Sequence, residues 1–183
     1  MDVTDATFET DVVERSRKLP VVVDFWAEWC GPCHALAPVL EREAAARDGR
    51  LSLVKVDVDA NPGLAGEFGI RGIPAVKAFR NGRVVREFVG AQSPQSVGAF
   101  LDEVLAPSPG ERLLAELRAS GERPELLATL EAGDHEGALE LLLERVDDDP
   151  ERVRRLMVAL FADLGVEHPL ALRYRRRLAA VLL

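Results

Sequence analysis

The chain changes character at one place. Around Ala106-Pro107-Ser108-Pro109-Gly110, two prolines and a glycine fall within five residues, and such a cluster breaks regular structure. Before it, β-branched runs alternate with helical patterns. After it, β-branched residues almost vanish: Val146, Val153, Val158, Val166, Val181 and one threonine remain, with no isoleucine, while Leu, Ala, Glu and Arg dominate. A stretch so poor in strand formers reads as helix only. The 183 residues therefore divide into two small domains, residues 1–106 and residues 107–183.

Composition narrows the function classes. Apolar residues make up 48%, enough for packed cores. A formal charge of −8 argues against binding nucleic acid phosphates. Each part carries −4: 12 basic against 16 acidic residues up to Ala106, then 11 against 15. The parts are thus not built to attract each other. Two cysteines make at most one bridge, which excludes a disulfide-stapled scaffold and a Cys-only zinc site. No metal is expected, because His34, His135 and His168 lie at no ligand-like spacing. Met1–Pro20 is charged throughout and lacks the apolar region of a signal peptide. No run approaches the ~18 apolar residues of a membrane span. The expected compartment is the cytoplasm, where a cysteine pair is more often catalytic than structural.

In the first part, Phe8–Lys18 reads as a helix. Val21–Trp26 is a nearly continuous apolar run, the mark of a buried strand. A helix follows over Cys33–Arg47, with Pro38 inside it. Leu51–Val58 alternates as a second strand, and Pro62–Phe68 forms a short helix. Ala75–Phe79 and Val84–Val89 flank Asn81-Gly82, a strong hairpin signal. Ser93-Pro94 opens a closing helix through Leu105. The order predicts an α/β fold, a mixed sheet flanked by helices. The second part predicts helices over Glu111–Ala119, Pro124–Glu131, His135–Val146, Glu151–Leu164 and Pro169–Leu182. The first of these could instead extend the first domain.

The chemistry concentrates in Trp29-Cys30-Gly31-Pro32-Cys33. A CxxC between a strand and a helix puts Cys30 at the helix N-terminus, where free N–H groups and the macrodipole favour a thiolate. Cys33, one turn on, can attack a mixed disulfide on Cys30 and release the reduced partner. Gly31 and Pro32 fix the turn between them.

The segment Val23–Cys33 resembles the active-site strand and loop of the thioredoxin family. Lys55 in Val54–Asp57, Asn61-Pro62-Gly63, Gly69–Pro74, Asn81-Gly82 and Gly90 match in order, so the resemblance covers residues 3–105. It implies Cys30 as nucleophile and Cys33 as resolving thiol. Asp24 would be a buried carboxyl with a raised pKa that accepts the Cys33 proton, with Lys55 as its charge partner. Pro74 would be a cis-proline facing the cysteines, and Ile73 would pair with an extended substrate segment. Trp29, Gly31, Pro32, Gly72, Ile73, Pro74, Gly90 and Ala91 would form the substrate-binding rim. Trp26 reads as core. The resemblance implies no cofactor beyond the redox-active Cys30–Cys33 disulfide itself. Two departures are visible: His34 where the family often has Lys or Arg, and Ala75 where it often has Thr.

In the second part, Ala132–Leu139 through Asp149-Pro150 resembles the second helix of a tetratricopeptide unit, with Gly133, Ala138, Leu142 and Pro150 at matching spacing. Arg145 stands where that pattern has a small residue. Arg173, Arg175, Arg176 and Arg177, then Leu178–Leu183, form a basic and then apolar end. The combination resembles the bacterial thioredoxin–tetratricopeptide co-chaperones, or chaperedoxins. The fold expected is thus an α/β thioredoxin fold followed by a small all-α tetratricopeptide-like domain. The resemblance implies a protein-disulfide reductase whose partners are protein disulfides and a thioredoxin-reductase-type electron donor. Unfolded clients or a chaperonin would meet the helical tail. The alternatives are a client-holding module with secondary redox activity, or a tail that only dimerises or stabilises the enzyme.

Overall fold

Strand β1 (Val21–Trp26) occupies an inner position of a four-stranded sheet. Val21 to Phe25 are all buried, because the strand has a neighbour on each side and helices over both faces. The computed structural model describes residues 1–165 and 167–182, and the chain forms two compact units, Met1–Ala106 and Pro107–Leu183. Val166 and Leu183, the latter closing the apolar end read at 178–183, lie outside the described residues.

The sheet of the first unit has the order β2-β1-β3-β4. Strand β2 (Ser52–Asp57) runs parallel to β1. Strands β3 (Ala75–Arg80) and β4 (Arg83–Val89) form an antiparallel hairpin, with β3 also antiparallel to β1. Asn81 and Gly82 both take positive φ, 55° and 77°, as a two-residue hairpin turn requires. Side chains alternate across the sheet. Val21, Val23, Phe25, Val54, Val56, Ala75 and Phe79 pack with Phe8, Val12 and Leu64 of α2 (Pro62–Glu67). Val22, Val76 and Ala78 pack on the other face with Leu36 and Leu40 of α1 (Gly31–Ala45) and Val97, Leu101 and Val104 of α3 (Pro94–Leu105).

The helix expected over Phe8–Lys18 is not a regular α-helix. It is a π-helical segment, Glu9–Glu14, followed by one 3₁₀ turn, Arg15–Arg17. Buried Ser16 ties this segment to the hairpin: its carbonyl accepts from Asn81 N–H at 2.9 Å and its hydroxyl accepts from Gly82 N–H at 2.8 Å. A tertiary anchor of this kind overrides local helical geometry.

The second unit contains α4 (Pro109–Ser120), α5 (Pro124–Glu131), α6 (His135–Leu143), α7 (Pro150–Leu164) and α8 (Pro169–Leu182). Helix α4 starts two residues before the expected Glu111, because Pro109 sits in its first turn, where proline is preorganised. Ser108 caps it: its hydroxyl accepts from Glu111 N–H, and Glu111 Oε2 accepts from Ser108 N–H at 2.8 Å. The same hydroxyl donates to Asp163 Oδ2 on α7 at 2.8 Å. A Cβ on Gly110 would stand 2.1 Å from that oxygen, so the close approach requires glycine. Leu113 and Leu117 pack into the helical core, placing α4 in the second unit.

That core is closed by α8. Tyr174 is fully buried, and its hydroxyl donates to Glu140 Oε1 at 2.6 Å. Arg177 also grips Glu140, and Arg173 pairs with Glu136. Hydrogen bonds from Arg177 and Tyr174 hold the Glu140 carboxyl below its usual range, while burial pushes the Tyr174 phenol up. Among the described residues no helix is long and apolar enough to cross a membrane, and no cluster of His, Cys, Asp or Glu could hold a metal ion.

Removing the Ser108 cap tests this join. Ser108→Ala should destabilise the helical unit by about 1–2 kcal/mol, read as a lower urea midpoint of the helical circular-dichroism signal. An unchanged midpoint would show the cap to be idle.

Candidate active site

Strand β1 ends at Trp26, and Cys30 is the N-cap residue of α1. Its extended backbone and the Pro at the helix start place its sulfur over the first free N–H groups of the helix. Cys33 N–H donates to Cys30 Sγ at 3.2 Å. The two cysteines are joined by a disulfide and are 3% and 2% exposed. A thiolate on Cys30 would be favoured by that N–H and by the helix dipole.

Asp24 lies on the α1 face of β1, opposite Val76 of β3 and Lys55 of β2. It is 1% exposed, and its Oδ1 has no hydrogen-bond partner. Burial pushes its carboxyl up from 3.8 to about 6, opposed by the positive charge of Lys55 and aided by the negative charge of Glu41. A cavity of about 160 Å³ joins Asp24 to Cys33, with Trp26, His34, Ala37 and Lys55 as its other walls. The ion pair of Lys55 is with Glu41 on α1, Nζ to Oε1 at 2.6 Å. The backbone of Lys55 is held on its outer side too, by Met1 O and Val3 N–H.

The Ile73–Pro74 peptide is cis. Ile73 packs against Cys30, Cys33 and Ala27, together with Trp26 and Val58. Pro74 O accepts from Gly90 N–H at 2.7 Å, joining the two loops of the expected rim. Gly72 lines a groove of about 350 Å³ that continues along Ile70, Arg71, Phe88 and Val89. Gly31, Pro32 and Ala91 are exposed. Trp29 is 70% exposed, steadied by an indole N–H donated to Asp59 Oδ2 at 2.8 Å. Trp26 is only partly buried and shares the cysteine cluster, with its indole nitrogen unpartnered. His34 is exposed; its Nε2 meets Glu28 O at 2.7 Å, and its ring stands edge-on to Trp26.

Glu41 and Asp59 were not foreseen. For Glu41 a signal existed: Cys33, Ala37 and Glu41 recur every four residues, the spacing of one helix face. Asp59 carried none, because its bond to Trp29 spans two loops.

The raised Asp24 carboxyl has a consequence for stability. The folded state binds its proton more tightly than the unfolded chain, so stability falls as pH rises from about 4 through about 6. Asp24→Asn should therefore stabilise the oxidised protein above that window by at most about 3 kcal/mol. The advantage should vanish below about pH 4. Urea unfolding at both ends of the range checks this; a pH-independent difference would contradict it.

Comparison with known proteins follows the two units. A thioredoxin family model matches residues 1–103, and a tetratricopeptide repeat model matches residues 127–183. The thioredoxin of Pseudomonas aeruginosa is 45% identical over 102 residues, which are 56% of this chain and 93% of that protein. The thioredoxin of Acidithiobacillus ferridurans is 47% identical over 103 residues, 56% of this chain and 94% of that protein. The bifunctional thioredoxin reductase/thioredoxin of Mycobacterium leprae is 43% identical over 105 residues, 57% of this chain and 22% of that protein. With a redox cysteine pair at the head of α1 and tetratricopeptide-like helices behind it, the chain belongs to the thioredoxin family as a protein-disulfide reductase of thioredoxin–tetratricopeptide architecture.

Proposed function

We propose that the protein reduces disulfides of client proteins through Cys30 and Cys33, and that its helical unit holds those clients. The observation that carries the redox reading is the cavity joining Asp24 to Cys33 directly behind the N-capping Cys30. In the reduced protein, the Cys30 thiolate attacks a client disulfide and one client thiolate leaves. Cys33 then gives its proton to the Asp24 carboxylate, directly or through water in the cavity. The Cys33 thiolate attacks Cys30 sulfur, the mixed disulfide breaks, and the second client thiolate leaves. Two electrons pass to the client, and Cys30–Cys33 becomes the disulfide seen here. The positive charge of Lys55 opposes the effect of burial on Asp24.

The rim serves docking. Trp29, Gly31, Pro32, Gly72, Pro74, Gly90 and Ala91 offer a shallow surface, and Ile73 offers backbone groups to an extended client segment. No bound cofactor is needed, because the disulfide is the redox group. The electron donor is a thioredoxin-reductase-type protein. The Mycobacterium leprae relative, whose name joins both activities, supports that pairing. The site of action is the reducing cytoplasm. A co-chaperone role for residues 107–183, toward unfolded clients or a chaperonin, is supported by the tetratricopeptide match and by exposed Val158, Leu172 and Val181.

Insulin-disulfide reduction checks the redox half. Cys30→Ser should abolish turnover, and Cys33→Ser should leave clients covalently attached to Cys30. Wild-type turnover no faster than Cys30→Ser would refute the reading. For the holding half, deletion of residues 107–183 should remove suppression of client aggregation while insulin reduction persists. The truncated chain matches relatives composed almost wholly of that unit. Undiminished suppression by the truncated chain would assign holding elsewhere.

A further inference from the structure

The ammonium group that shares the cavity of Asp24 is paired with another carboxylate. Lys55 faces Asp24 across the parallel β1–β2 pair and lines the same cavity. Its ion pair, however, is with Glu41, on the second turn of α1 beyond Cys33. The Lys55 side chain is mostly buried, and Glu41 reaches it from the surface. Cys33 and Ala37 line the cavity from the same helix face, and Glu41 continues that row. One helix therefore carries both the proton donor of the resolving step and the carboxylate that occupies the neighbouring cation.

We propose that Glu41 is a positioning residue of the resolving step: it holds the Lys55 ammonium away from the Asp24 carboxyl, so that Asp24 remains able to take the Cys33 proton. The physical argument is a competition. A lysine paired directly with Asp24 would stabilise the carboxylate and make it a poor proton acceptor. A lysine paired with Glu41 opposes the effect of burial less. The other groups facing Asp24 do not supply this control. Val76 on β3 is uncharged, Cys33 is the proton donor itself, and His34 is engaged with Glu28 O. Trp26, on the same strand, carries no charge.

This inference rests on Asp24 acting as proton acceptor, and the test separates the two. The pH dependence of insulin reduction by the pre-reduced full-length protein is measured for wild type, Asp24→Asn, Glu41→Gln, Lys55→Met and Glu41→Gln/Lys55→Met. Carbon NMR titration of Asp24 in the oxidised protein runs in parallel on the variants that keep Asp24. Asp24→Asn should remove the acidic limb of the profile. Glu41→Gln should move that limb and the Asp24 titration to lower pH by about half a unit, roughly a threefold change in proton affinity. In the Lys55→Met background the Glu41→Gln displacement should shrink, because the released cation is gone. A limb unchanged by Asp24→Asn would sink the proton-acceptor reading itself. A limb that Asp24→Asn removes but Glu41→Gln leaves in place would overturn the role of Glu41 alone. An equal displacement with and without Lys55 would show that Glu41 acts by its own charge and not by holding the lysine.

Discussion

A carboxyl group sits where the sheet and the helices leave it almost no solvent. Asp24 occupies the α1 face of an inner strand, between Lys55 and Val76, and transferring its charge from water to that site is costly. The structure meets the cost in two ways. The carboxyl keeps its proton to about pH 6, and a cavity beside it leaves room for a polar partner. A group that destabilises the fold above that pH is tolerable where it has a task. Cys33, whose thiol would carry a proton in the reduced protein, lines the same cavity.

The other half of the device is the start of α1. The strand delivers Asp24 and then stops; the chain turns through Ala27–Trp29 and re-enters as a helix capped by Cys30. One side of the pair therefore meets the helix N-terminus, which favours an anionic sulfur. The other side meets a carboxyl that favours its proton. In the reduced protein the two thiols would thus meet different surroundings, Cys30 the helix N-terminus and Cys33 the cavity of Asp24.

Most of this arrangement could be read from residues close in sequence. The apolar run Val21–Trp26, the Asn81-Gly82 turn and the prolines opening helices are local signals with local causes, and the corresponding elements appear within one to three residues. The cysteine spacing was legible because strand and helix join at the site, and Asp24 through the resemblance of Val23–Cys33 to the thioredoxin strand and loop. What escaped depends on contacts between distant segments. Ser16 bends the N-terminal helix out of α geometry through bonds to residues 81 and 82. Glu41 meets Lys55 across 14 residues, and Trp29 meets Asp59 across 30. The bond of Trp29 to Asp59 has no periodicity to betray it, whereas Glu41 stands on the helical row of Cys33 and Ala37. The start of α4 was misplaced for a different reason. Pro109 and Gly110 were read as breakers, whereas proline suits a first helical turn and Gly110 is there to admit Asp163.

The helical unit faces a different physical problem. A lone tetratricopeptide pair cannot bury both faces of its helices, and stacked arrays solve this by repetition. Here α4, α7 and α8 pack against the α5–α6 pair. Helix α4 packs on α7 and brings Leu113 and Leu117. At the other end, α8 inserts Tyr174, whose buried hydroxyl would be costly without a partner. Glu140 supplies one, and Arg177 pairs with both oxygens of the same carboxylate. The arginine row of α8 thereby acquires a structural role: Arg173 and Arg177 flank the Tyr174 ring and pair with α6 carboxylates. The basic end read in the sequence is thus in part a latch between α8 and α6. Among the described side chains of α7 and α8, Val158, Leu172 and Val181 stay exposed.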